Sequence, residues 1–193
     1  MLILPPEKKL QIGQNNPKNQ RTLMNLILFG HKSCGKTSIA SQLARELQVP
    51  FLDTDHCMIE SHFQNHGIRC TISELYQHLK EQAFRELEKK VLKRLGPIQK
   101  SILAVGGGTV LDPENVHWLS SMGKMVHLKI DPTILKERLS QNIPAFFDRD
   151  NTEASFARMM RERDSIYASI LAFSIDVTSL HLMEQLKELF YGL

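Results

Sequence analysis

The chain has few cysteines, no long apolar run and little excess charge, and each of these shortages excludes a class of protein. Its three cysteines, Cys34, Cys57 and Cys70, are odd in number and form no Cys-x-x-Cys pair, so neither a disulfide framework nor a zinc site is predicted. No apolar run approaches the roughly 20 residues of a transmembrane helix, and the apolar N-terminal stretch is too short for a signal peptide. We therefore expect a cytoplasmic protein with no membrane partner.

The charge balance excludes a further class. Lysine and arginine exceed aspartate and glutamate by 24 to 21, a net charge of +3. This excess favours anionic ligands but falls short of the basic surface of a dedicated nucleic-acid binder. With 193 residues, of which 42% are hydrophobic, the chain can bury a core without a metal or a disulfide. We expect a monomer with no nucleic-acid partner.

Two regions differ in composition. Residues 1–24 are polar, rich in Gln, Asn, Lys and Pro, and show no periodicity. They form a loose extension, or Met24 is itself the start of the protein; both interpretations fit the composition. Residues 25–193 carry the regular pattern of a single folded domain.

Within residues 25–193, short apolar strands alternate with amphipathic helices, which predicts an α/β fold with a parallel sheet covered on both faces. Strands are expected at 26–29, 49–52, 101–105, 125–130 and 173–177. Ligands of such folds bind beyond the carboxyl ends of the strands. The segments Gly30–Thr37, Asp53–Asp55 and Gly106–Gly108 each follow a strand, so these segments are the candidate site.

The first segment predicts nucleotide binding. Gly30–Thr37 matches G-x-x-x-x-G-K-[S/T] in full, between a strand and an amphipathic helix. The backbone amides of such a loop and the following helix N-terminus surround a polyphosphate. Lys36 is expected to bridge the β- and γ-phosphates and Thr37 to ligate Mg²⁺. The predicted ATP-binding residues of the loop are Gly30, His31, Lys32, Ser33, Cys34, Gly35, Lys36, Thr37 and Ser38.

The second and third segments predict phosphoryl transfer. Asp53 and Asp55, one residue apart on an extended segment, point the same way, so one can hold Mg²⁺ and the other can receive a hydroxyl proton. Alternatively, Asp53 or Thr54 caps a helix over 55–65; both interpretations can hold together. Three successive glycines, Gly106–Gly108, are entropically costly, which indicates a ligand directly against this backbone or a flexible loop.

Together with Phe84-Arg85 and with Arg163 and Tyr167, these segments occur in the order and approximate spacing of shikimate kinases. The chain resembles this family over about residues 25–190. The resemblance implies a three-layer α/β/α P-loop kinase fold, with a five-stranded parallel sheet of order 2-3-1-4-5, a substrate-binding region at about 55–95 and a mobile lid at about 141–152. It also implies ATP-dependent phosphorylation of the 3-hydroxyl of shikimate.

The resemblance assigns roles to single residues. Asp55 is expected to hold the shikimate hydroxyls and to help orient or deprotonate the attacking one, and Asp53 to bind Mg²⁺ through water. Arg85 and Arg163 are expected to bind the shikimate carboxylate, with Gly106, Gly107 and Gly108 contributing backbone donors. Guanidinium groups suit a carboxylate, and Glu88, three residues after Arg85, can fix its rotamer. Without the resemblance, surface solvation is the ordinary expectation for both arginines.

The lid departs from the family pattern. Ile143 stands where an arginine before Pro144 is expected to reach over the ATP phosphates. We predict that Arg149, in the same loop, replaces this arginine in catalysis. Arg138 resembles the family's arginine near the adenine and is predicted to bind ATP.

Two further alternatives stay open: a different P-loop small-molecule kinase, such as a gluconate kinase-like enzyme, or a nucleotide-binding protein with impaired catalysis. A GTP-dependent switch is disfavoured because the sequence has no N-K-x-D segment.

Overall fold

The computed structural model describes residues 24–96 and 98–192. The extension predicted at residues 1–24 therefore lies outside the described residues, except for Met24. Within them the chain forms five strands: β1 (Leu26–Phe29), β2 (Phe51–Asp53), β3 (Ile102–Ala104), β4 (Lys124–Lys129) and β5 (Phe173–Asp176). Seven helices accompany them: α1 (Lys36–Leu47), α2 (Thr54–His66), α3 (Ile72–Leu95), α4 (Pro113–Met122), α5 (Pro132–Gln141), α6 (Thr152–Ser169) and α7 (Leu182–Phe190).

The five strands form one parallel sheet in the order β2-β3-β1-β4-β5, which confirms the expected topology. Leu26 of β1 lies opposite Ile102 of β3 on one side and Lys124 of β4 on the other. All parallel strands end at the same edge, so the loops after β1, β2 and β3 are neighbours there. This edge positions the candidate site.

The core lies on both faces of the sheet. Side chains alternate along a strand, so Leu26 and Leu28 pack on one face with α1, α5 and α7. Ile27 and Phe29 pack on the other face with residues of α3, α4 and α6. All four are fully buried, as expected for the central strand of a parallel sheet covered by helices on both faces.

The second strand differs from its prediction. It was expected at 49–52 but runs over Phe51–Asp53. The Val49 N–H donates instead to the Ala44 carbonyl at the end of α1, and Pro50 has no N–H to give to a ladder. The strand therefore begins one residue after the proline and extends to Asp53.

Helix α3 starts at a capping box, in which Thr71 and Glu74 exchange side-chain and backbone hydrogen bonds. Lys80, with φ +61 and ψ 173, interrupts the helical geometry. The part after this kink carries Phe84, Val91 and Leu92 into the interior.

None of the helices in residues 24–96 and 98–192 has the length and apolar character of a membrane span.

Candidate active site

A cleft of about 490 Å³ opens at the carboxyl edge of the sheet. Its walls come from the loop after β1, the start of α2, the helix α3, the glycine triplet after β3, and the lid. The predicted site residues that line it are Lys32, Ser33, Gly35, Lys36, Thr37, Ser38, Asp53, Asp55, Arg85, Gly106, Gly107, Gly108, Arg138 and Arg163. The fold thus brings together segments that lie more than 100 positions apart in the sequence.

The loop between β1 and α1 has the backbone that a phosphate cradle needs. Gly30 has φ +147, and a Cβ atom there would lie 2.6 Å from the Leu128 carbonyl oxygen, so a side chain is excluded. Gly35, with φ +103, caps α1, which begins at Lys36. The free amides of this helix start, together with the helix dipole, face the cleft and favour an anion there.

Lys36 is held inside this loop. Its Nζ donates to the carbonyl oxygens of Gly30 (3.0 Å) and His31 (2.7 Å), and the side chain is buried. These hydrogen bonds compensate for the burial of the ammonium group, which without them would cost much free energy. They place the positive charge at the centre of the loop, where a polyphosphate would lie.

Two predicted loop members direct their side chains away from the cleft. Cys34 is fully buried in the main core cluster. His31 is buried as well, and its Nε2 lies 2.8 Å from Asp164 Oδ1 of α6; burial lowers the pKa of this histidine. Their predicted contribution to nucleotide binding is therefore limited to the backbone, and their side chains instead attach the loop to the core and to α6.

Asp53 acts as a helix cap and is also placed for the predicted Mg²⁺ site, so both interpretations of this segment hold for it. Oδ1 accepts the N–H groups of Asp55 (2.9 Å) and His56 (3.3 Å), so Asp53 caps α2. Oδ2 accepts the Thr37 hydroxyl at 2.7 Å. A hydroxyl and a carboxylate in contact are hard oxygen ligands of the kind Mg²⁺ prefers, so the two residues fit the predicted metal site.

The expectation that both carboxylates lie on one extended segment is wrong, because α2 begins at Thr54 and places Asp55 in its first turn. Asp55 still reaches the cleft. Burial raises the pKa of Asp55 to about 6, and the neighbouring Asp53 carboxylate adds to the rise. A carboxylate with such a pKa can accept a proton near neutral pH.

Arg85 lines the cleft from α3 and is attached to a buried carboxylate. Its Nη1 donates to Glu88 Oε2 at 3.0 Å, as expected from their spacing on α3. Glu88 is only 1% exposed, and its other oxygen accepts the Thr109 hydroxyl at 2.6 Å. The guanidinium therefore has a defined position, and within residues 24–96 and 98–192 its remaining N–H donors bond to no other protein group.

The glycine triplet gives room to these side chains. A Cβ atom at Gly108 would overlap the Arg85 guanidinium, and one at Gly106 would lie 2.9 Å from Asp55 Oδ1. At Gly107 the Cβ would lie 3.2 Å from Arg163 Nη1. Three residues of the site thus crowd against this backbone, which explains the glycines without a ligand.

Arg163 projects from α6 into the same space. It is 7% exposed, so surface solvation is the wrong interpretation for this residue. Its guanidinium lies 4.6 Å from the ring centre of Phe146 in the lid. One helical turn further, the Tyr167 hydroxyl donates to the Gly107 carbonyl at 2.6 Å. Helix α6 is thereby joined both to the lid and to the glycine triplet.

The replacement of the missing lid arginine by Arg149 stays a prediction. Ile143 packs against the main core cluster, and the lid residues that line the cleft, Ala145 and Phe146, are apolar. Arg149 is exposed and is not among the residues that line the cleft. Arg138 does line it, and its Nη1 donates to the Ser33 carbonyl at 3.2 Å, which supports the nucleotide loop from α5.

Two features of the site are not predicted from the sequence. The first is Thr109, whose hydroxyl completes the Glu88 anchor; its place directly after the glycine triplet was the available signal. The second is the side-chain direction of Lys32, whose Nζ donates to Ser73 Oγ of α3 at 3.4 Å. Lys32 is one of the variable positions of the loop motif, and the motif does not specify the direction of their side chains. The sequence therefore contains no signal that the Lys32 side chain points toward α3.

Comparison with known proteins places this site in a family. The family model described as shikimate kinase matches residues 32–190. A shikimate kinase of Xylella fastidiosa (strain M12) is 36% identical over 118 residues, a match that spans 61% of this chain and 62% of the relative. A shikimate kinase of Caldicellulosiruptor saccharolyticus is 31% identical over 146 residues, 75% of this chain and 81% of the relative.

A solved structure agrees with both. The shikimate kinase from Acinetobacter baumannii in complex with shikimate has a TM-score of 0.75 and 26% identity, and the match covers 89% of this chain and 95% of that one. The family match begins inside the nucleotide loop and ends in α7, so it includes most of the described fold. The chain belongs to the shikimate kinase family.

Proposed function

We propose that the protein transfers the γ-phosphate of ATP to the 3-hydroxyl of shikimate. The observation that carries this proposal is the composition of one cleft, which is lined by the Lys36 loop together with Arg85, Arg163 and Asp55. A polyphosphate needs the first group and a hydroxylated acid needs the second. The family membership and the shikimate complex of the Acinetobacter baumannii relative support the same acceptor.

ATP binds with its phosphates on the amides of the loop 30–37. Lys36 exchanges part of its bonding to loop carbonyls for the β- and γ-phosphate oxygens. Arg138, attached to the Ser33 carbonyl, lies beside the loop on the nucleotide side. Thr37 and Asp53 would hold Mg²⁺, which when bound supplies charge neutralisation at the phosphates.

The acceptor binds opposite, with its carboxylate on Arg85 and Arg163. Asp55 accepts the proton of the reacting hydroxyl. The hydroxyl oxygen forms a bond to the γ-phosphorus, the bond from that phosphorus to the β–γ bridging oxygen breaks, and ADP leaves with the electron pair. Phe146 covers Arg163 and limits the access of water, which would otherwise compete as acceptor.

The test is ADP release by the purified protein with ATP and Mg²⁺ in three parallel reactions: with shikimate, with gluconate, and with no acceptor. We expect release that depends on shikimate, with phosphorylated shikimate identified by mass. Asp55→Asn, which keeps the shape and loses the base, should lower the rate by about 100-fold or more. Release that depends on gluconate, or ATP binding without any turnover, would refute the proposal in favour of the corresponding alternative.

A further inference from the structure

Lys32 lies at the boundary between the two halves of the cleft. It belongs to the nucleotide loop, but its Nζ reaches Ser73 Oγ in the first turn of α3, on the acceptor side. Its backbone nitrogen faces the glycine triplet, since a Cβ atom at Gly107 would lie 3.1 Å from it. Its flanking neighbour His31 points into the protein interior, so Lys32 is the loop residue whose side chain crosses to the acceptor half.

Its electrostatic surroundings match this position. Burial and the nearby Lys36 ammonium lower the pKa of Lys32, while the Asp55 carboxylate acts in the opposite direction. The charges of Lys36 and of Asp55, the expected base, therefore both act on the Lys32 ammonium. All three side chains line the same cleft, so a cation near both groups is also near the path of the transferred phosphoryl group.

The other cations that line the cleft have defined partners. Arg85 donates to Glu88, Arg138 to the Ser33 carbonyl and Lys36 to two loop carbonyls. Arg163 lies against the Phe146 ring. The bond from Lys32 to Ser73 is long for a hydrogen bond, at 3.4 Å, and costs little to exchange.

We propose that Lys32 is a catalytic residue whose ammonium contacts the oxygens of the transferring phosphoryl group, between Lys36 and Asp55. This assignment rests on the proposed function. In the transition state, negative charge spreads over the three equatorial phosphoryl oxygens. Lys32 stabilises that charge without giving or taking a proton, so the bonds made and broken are those already stated. It supplies from the loop the charge that the lid lacks at Ile143.

The test compares Lys32→Met, which keeps the length and loses the charge, with Lys32→Arg and with a matched control, Lys90→Met, on the exposed face of α3. We expect Lys32→Met to lower kcat by about 100-fold, the usual effect of removing one charge-stabilising donor, with KM for ATP and for shikimate within about threefold of the parent value. Lys32→Arg should recover most of kcat, and Lys90→Met should match the parent protein. Equal melting temperatures establish that the variants are folded.

A second measurement isolates the transition state. ADP with aluminium fluoride mimics the transferring group, so Lys32→Met should weaken its binding in the presence of shikimate by about 100-fold while leaving the binding of ADP alone unchanged. An active parent with an unchanged kcat in Lys32→Met would overturn the assignment. So would a rise confined to the KM for shikimate, or a loss of kcat in Arg149→Ala with none in Lys32→Met. Absence of turnover in the parent protein would refute the proposed function itself and the role of Lys32 with it.

Discussion

Replacing Gly108 by alanine tests whether the glycine triplet exists to make room for the acid-binding arginine. The backbone of Gly108 has φ −98 and ψ −9, in the right-handed helical region that any residue adopts. The new methyl group would nevertheless overlap the Arg85 guanidinium, with Nη1 at 2.5 Å and Cζ at 2.6 Å. The effect of this substitution is therefore confined to one side chain.

The geometry sets the magnitude. Ordinary contacts of a Cβ atom begin at 3.4 Å, so the guanidinium must move by about 1 Å, and its 3.0 Å bond to Glu88 stretches or breaks. A misplacement of about 1 Å can cost about 100-fold in an enzyme reaction. We expect KM for shikimate to rise by 10- to 100-fold, or about 1.4–2.7 kcal/mol, and KM for ATP to stay within about twofold. Stability should change little, because alanine restricts the unfolded chain and offsets some of the clash.

Steady-state kinetics with each substrate varied, together with thermal unfolding, measures these quantities. The control is a double-mutant cycle with Arg85→Ala, since two changes that act through one contact are not additive. In the Arg85→Ala background, Gly108→Ala should have almost no further effect on KM for shikimate. Equal effects in both backgrounds, or a normal KM in folded Gly108→Ala, would show that Arg85 is not held where the structure places it.

Three other changes test separate parts of the molecule. Arg163→Lys should raise KM for shikimate about tenfold in the same assay, because an ammonium lacks the paired donors of a guanidinium. Thr37→Val should raise the Mg²⁺ concentration for half-maximal rate about tenfold, while Thr37→Ser should keep it near the parent value. Burial lowers the pKa of His127 to about 4 from 6.5, so its contribution to stability is complete above pH 6.5 and falls by up to about 3 kcal/mol as the pH drops toward 4. Denaturant unfolding of His127→Phe should lack this part of the decline, and the exposed His117→Gln should keep it.

The fold could be predicted largely because hydrophobic periodicity and local caps decide it. Leu26–Phe29 is apolar throughout and becomes the strand buried on both faces. Helix α4 begins after Asp112, where a capping side chain and a proline occur together. The second strand was misplaced because Val49 has strand propensity, yet its N–H completes a helix end. That competition between α1 and the sheet is tertiary in origin and is not visible in a local pattern.

The site could be predicted less completely, because motifs identify residues but not the direction of their side chains. The loop motif alone treats His31, Lys32 and Cys34 alike, whereas the fold directs them to α6, to the acceptor side and into the core. In the same way, a run of glycines shows that space is needed without showing what fills it. At Gly106 and Gly108 the space is taken by Asp55 and Arg85, which reach it from α2 and α3.

The proposed role of Lys32 places the phosphoryl-facing charge on the loop instead of the predicted lid, which changes what closure of that lid would have to accomplish. An arginine on a lid contributes only after the lid has closed, and each closure then orders a long side chain as well as the backbone. Lys32 is positioned by the same loop that binds the nucleotide, so its charge is in place before the acceptor arrives, the condition under which electrostatic stabilisation is most effective. The apolar lid residues, with Phe146 against Arg163, then need only exclude water. Water exclusion in turn strengthens the interactions of Lys32, Lys36 and Arg163 with the bound anions.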